Sequence, residues 1–71
     1  MTNGAMTRTQ LEAYIAANRF QPAQGRIGVE VYRDKPGRRA TLELTVSADV
    51  RAVNLYDLKR GRRRVQSWSL A

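Results

Sequence analysis

The sequence predicts an α+β domain: one short N-terminal helix packed on one face of a four-stranded antiparallel β-meander. Three observations carry this. A helix-capping signature opens a stretch of helical period near the N-terminus, two runs of strict apolar alternation follow, and Gly-containing turn sequences separate the strands. The chain has 71 residues, room for one small domain, since chains near this length bury only about 60% of their unfolded surface.

Residues 1–7 lack periodicity and read as a disordered tail, which leaves 8–71 as the single α+β domain. Thr9-Gln10-Leu11-Glu12 fits a capping box, with Glu12 reaching back to the Thr9 amide, so the helix is expected to start at Gln10. Leu11, Tyr14 and Ile15 form its apolar stripe. Pro22 restricts the residue before it and Asn18 suits a left-handed C-terminal position, so the helix should end near Arg19. About ten residues cannot stand alone as helix in water, and the stripe must lie on a sheet.

From Arg26 the period becomes two. Ile27, Val29 and Val31 alternate with polar residues and are expected to face the core. Lys35-Pro36-Gly37-Arg38 reads as a tight reversal, with Pro presetting φ and Gly accepting positive φ. Ala40, Leu42, Leu44 and Val46 then mark a second strand. Pairing Val31 with Ala40 is preferred to pairing it with Leu42, because the latter sets Glu30 opposite Glu43. Both registers keep the same residues on the core face. Ser47-Ala48-Asp49 is the next turn, and Arg51 to Leu58 the third strand, with Val53 and Leu55 on one side. A rival helix over 50–58, capped by Ser47, competes with this, but the Val-Asn-Leu-Tyr stretch favours strand. Lys59-Arg60-Gly61-Arg62 supplies a turn before a last strand, Arg63 to Leu70. Its apolar residues Val65 and Trp68 have opposite parity, so either one faces outward or a bulge realigns the strand.

Composition narrows the function. The absence of His and Cys removes the imidazole base, the thiolate nucleophile and the usual zinc ligands, and no carboxylate pair recurs at a metal-ligand spacing. Neither catalytic residues, nor a metal, nor a cofactor is expected. No stretch is long and apolar enough to span a bilayer, so the protein is read as soluble and cytoplasmic, with no membrane partner. Against 6 Asp and Glu stand 13 Lys and Arg, a net charge of +7. In a meander the first and third connections lie at the same end of the sheet. One tip carries Arg33, Lys35, Arg38 and Arg39, the other Lys59, Arg60, Arg62, Arg63 and Arg64, opposed only by Asp34 and Asp57. Tips roughly 10 Å apart are near one Debye length, so their potentials overlap.

The partner expected for such a surface is nucleic acid, DNA or RNA, held through its phosphates. Tyr32 and Tyr56, expected beside Arg39 on the solvent face, add a stacking surface for unpaired bases. The alternative is a small regulator or inhibitor docking its basic tips on an acidic protein surface. A third reading, metal-free ribosome-dependent RNA cleavage through Tyr32 or Tyr56, has no motif behind it. The last strand would form a sheet edge, the expected place for a homodimer contact.

Overall fold

The computed structural model describes residues 4–71. It contains strand β1 (Ala5–Met6), helix α1 (Arg8–Ala17), and strands β2 (Gln21–Arg26), β3 (Val29–Arg33), β4 (Leu42–Ser47), β5 (Ala52–Asp57) and β6 (Arg63–Leu70). The strands form one sheet in the order β1-β6-β5-β4-β3-β2, antiparallel except for β1 against β6. The α+β class therefore holds, with a six-stranded mixed sheet in place of the expected four-stranded meander. Among the described residues no helix is long and apolar enough to cross a membrane.

Both additional strands lie at the edges. Of the expected N-terminal tail, residues 1–3 lie outside the described residues, while Ala5 and Met6 pair with Ser69 and Leu70. Met6 is buried in the core, which offsets the cost of ordering this segment. The stretch Gln21-Pro22-Ala23-Gln24-Gly25-Arg26 pairs with β3 although it shows no apolar alternation. Proline is tolerated there because the strand is an edge.

The helix starts two residues earlier than expected. Thr7 is the cap: its hydroxyl accepts the Gln10 N–H at 3.1 Å, and the Gln10 side-chain carbonyl accepts the Thr7 N–H at 2.9 Å. Thr9 and Glu12 fit the same spacing rule, but Thr7 and Gln10 satisfy the first orphan amides and add helical residues. Glu12 is thereby released from capping and lies 3.8 Å from Arg8. At the other end the left-handed residue is Arg19 (φ 56°), not Asn18 (φ −96°). Leu11 is fully buried, and Tyr14 and Ile15 pack against the core with Phe20, Leu44, Val46, Val53 and Leu55.

The hairpin of β3 and β4 departs most from expectation. Val31 pairs with Thr45, not with Ala40 or Leu42. A slip by an odd number of residues exchanges the faces of a strand. Tyr32 and Glu30 therefore share the helix face with Leu44 and Val46, while Val29 and Val31 lie on the opposite face and are only partly buried. The connection is not a tight turn at Pro36-Gly37 but the longer loop 34–41, with Gly37 at φ 61° opening a single helical turn. Asp34 holds it open: its carboxylate accepts the Thr41 N–H (2.9 Å), the Leu42 N–H (3.0 Å) and the Thr41 hydroxyl. Ile27, expected in the core, sits with Gly28 (φ 81°) in the turn between β2 and β3 and is fully exposed.

Strands β5 and β6 lie where the sequence puts them. Residues Ala52–Asp57 of the 50–58 stretch are strand rather than helix, with Val53 and Leu55 buried. The parity conflict in β6 is resolved by a bulge: Leu55 pairs with Gln66 and Tyr56 with Arg64, leaving Val65 as the extra, exposed residue. Trp68, opposite Val53, turns to the helix, its ring centroid 5.5 Å from that of Tyr14.

Candidate functional site

The registers decide where the charge lies. Strand β3 runs toward the end of the sheet that holds loop 34–41, β4 returns, and β5 runs back to the same end, where residues 58–62 lead into β6. The two connections touch: the Leu58 N–H donates to the Thr41 carbonyl at 2.9 Å. Both expected basic tips are therefore joined at one end. Helix α1 crosses the sheet from the other end and delivers Arg19 to this one, just before Gln21 pairs with Arg33.

Ten of the 13 Lys and Arg lie at this end, with Asp34, Glu43 and Asp57 as the only acids there. The whole side-chain charge of +7 is thus at one end, while Arg8, Arg26 and Arg51 balance Glu12, Glu30 and Asp49 over the rest. The acids at the basic end are not spread as counter-charges. Asp34 braces its loop, and Asp57 accepts the Lys59 N–H at 2.8 Å. Burial pushes the Asp34 carboxyl up, but the hydrogen bonds from Thr41 and Leu42 outweigh it and hold its pKa below the ordinary value.

Glu43 is the centre of the site. On the sheet face away from the helix, a row of paired residues runs Gln21, Arg33, Glu43, Tyr56, Arg64 across five strands. The Glu43 side chain is 7% exposed and is gripped from both sides, by Arg33 at 3.0 Å on one oxygen and Arg62 at 2.9 Å on the other. Arg62 also lies over the Tyr56 ring, 3.8 Å from its centroid. Burial pushes the Glu43 carboxyl up, yet the hydrogen bonds from Arg62 and Arg33, together with their charges, hold its pKa below the ordinary value. A buried carboxylate with two guanidinium partners fixes the direction of both arginines, whose remaining N–H groups are left to other acceptors.

The remaining basic residues of this end, Arg19, Lys35, Arg38, Arg39, Lys59, Arg60, Arg63 and Arg64, have no ion pair among the described residues. A cleft of about 320 Å³ opens among Asp57, Lys59, Arg60, Gly61 and Arg63. Gly61 has φ 88°, which favours glycine at that bend. Eight separate cations and two clamped ones form a surface suited to several anionic groups at once. It holds no pair of free carboxylates for acid–base work, and among the described residues no three acids gather as a metal site.

The expected aromatic platform is divided. Tyr56 lies in the row with Glu43, but Tyr32 is on the helix face, where its hydroxyl donates to Glu30 at 2.6 Å and Arg8 donates to both Glu30 oxygens at 3.1 Å. Tyr32 and Tyr56 thus do not adjoin, because the register of β3 places them on opposite faces. The bond to Glu30 raises the Tyr32 pKa and lowers that of Glu30. Two site residues escaped the sequence reading. Glu43 looked like a solvent-facing polar position in an alternating strand, and Arg19 was hidden because only the crossing of the helix brings it here. No family model, no curated protein and no solved structure matches this chain.

Proposed function

We propose that this protein binds nucleic acid, contacting phosphates through the paired basic loops. One observation carries the reading: the entire net charge of +7 lies at one end, and eight of its ten cations have no ion pair among the described residues. Lys and Arg release condensed counterions from phosphates, so contact with four to six phosphates gives a slope of log affinity against log salt of roughly −4 to −5 on duplex DNA. Phosphate contacts position the protein, and base contacts come second. Lys35, Arg38, Arg39, Lys59, Arg60, Arg63 and Arg64 do the binding, while Arg33 and Arg62 hold fixed positions on Glu43. Tyr56 backs Arg62 rather than offering a bare ring.

The test is a titration of fluorescent duplex DNA, single-stranded DNA and a structured RNA at several salt concentrations. Replacing Lys59, Arg60 and Arg63 by Ala should flatten the slope by roughly 2 to 3. Arg62 is left out of this variant because its loss would remove one of the two guanidinium partners of Glu43. A protein that binds none of the three ligands, or a triple variant with an unchanged slope, overturns the reading. The former outcome would turn attention to an acidic protein surface, which the same charge would attract.

A further inference from the structure

A second cleft, of about 250 Å³, opens on the far side of loop 34–41 from the cleft described above. Gln21, Pro22, Gln24, Arg33, Lys35 and Pro36 line it. Its composition differs from the rest of the basic end: two neutral amides and two prolines stand beside two cations. Among the described residues neither glutamine side chain has a hydrogen-bond partner, although each carries both a donor and an acceptor.

The local backbone is shaped to make this arrangement. The pairing of β2 with β3 slips between Ala23 and Arg26, and Gly25 sits in the slip, where any side chain would run into the Val29 carbonyl oxygen. A bulge of this kind re-aims the neighbouring side chain, and here it puts Gln24 at the cleft together with Gln21. Arg33 enters with its guanidinium already oriented by Glu43, and Lys35 follows two residues later on the loop.

We propose that this cleft accepts a single unpaired nucleotide, the phosphate held by Arg33 and Lys35 and the base edge read by the amides of Gln21 and Gln24. The assignment rests on the nucleic-acid reading above and adds the class of ligand. Phosphate alone would need no amides, and a base stacked and paired inside a duplex is not free to leave the helix and enter a cleft of about 250 Å³. An extrahelical base can, with its hydrogen-bonding edge free and its faces against the prolines. A carboxamide matches the adjacent donor and acceptor of adenine, so adenine is the base to use as probe.

The experiment compares a short fully paired DNA duplex with the same duplex carrying one extrahelical adenine, each titrated with the wild-type chain and with the Gln21→Ala, Gln24→Ala variant. Both side chains are solvent-exposed, so the variant should keep the wild-type circular dichroism spectrum and melting temperature. The wild type should prefer the bulged duplex, and the variant should lose that preference by roughly fivefold per amide removed, with its affinity for the paired duplex and its salt slope unchanged. Equal binding of the two duplexes, or a preference that survives both substitutions, overturns the cleft assignment and leaves the basic end intact. Failure to bind either duplex overturns the cleft assignment, and the basic-end reading falls with it only where single-stranded DNA and the structured RNA also go unbound.

Discussion

Replacing Arg62 by Ala separates an arginine that holds the site together from those that only carry charge. The substitution removes a 2.9 Å charge-assisted hydrogen bond from Glu43 and lifts a guanidinium off the Tyr56 ring. A hydrogen bond to a charged group contributes about 1.5–3 kcal/mol, and an exposed cation–π contact about 0.5–1 kcal/mol. Arg62 is itself 51% exposed and Arg33 remains on Glu43, so solvent screening puts the loss at the low end, about 2 kcal/mol. For a domain of this size that lowers Tm by roughly 8–16 °C. Arg60→Ala, with no ion pair to lose, should stay within about 0.5 kcal/mol of wild type. Thermal melts followed by circular dichroism measure both. Adding Glu43→Gln to Arg62→Ala should cost less than the two single losses combined, because both substitutions remove the same Arg62–Glu43 interaction. An Arg62→Ala protein that melts together with Arg60→Ala would refute the clamp.

Three further outcomes follow from the packing and the carboxylates. Glu43, Glu30 and Asp34 have folded-state pKa values below their unfolded ones, so the stability they add is complete above the ordinary values, 4.5 for Glu and 3.8 for Asp, and is lost as the pH falls through the folded values. Urea midpoints should fall on acidification through that range, and the gap between wild type and Arg62→Ala should narrow. Leu11→Ala should cost about 2–5 kcal/mol and leave the chain largely unfolded, whereas Ile27→Thr should leave the urea midpoint nearly unchanged, since Leu11 is fully buried and Ile27 fully exposed. Gly25→Ala should destabilise the β2–β3 hairpin, read as faster amide exchange at Ala23 and Val31, because a methyl group there meets the Val29 carbonyl.

What was legible in the sequence is what local rules determine. The alternation at Val53 and Leu55, the opposed parity of Val65 and Trp68, and the turn at Gly61 all describe β5 and β6 as they are. The joining of the basic loops was also legible, for a topological reason. Strands β1 and β2 attach at opposite edges, so they leave the order β3-β4-β5-β6 and the ends of its connections untouched. The illegible parts depend on contacts distant along the chain. Strand β2 is polar because an edge needs no second apolar face, and β1 exists only because β6 offers an unpaired rim at Ser69 and Leu70. The β3–β4 register turned on Asp34, whose carboxylate replaces a tight turn with a braced loop. That shift moved Tyr32 to the helix face and made Arg33 the neighbour of Glu43, so the aromatic part of the expected site dissolved while its ionic centre formed.

Chemical-shift mapping of the labelled protein with a short DNA duplex tests the one-ended charge most directly. Amide perturbations confined to 34–41 and 58–64, fading with added salt, are the expected result. Perturbations centred on the turns at 26–28 and 48–51, or spread evenly over the sheet, would contradict it.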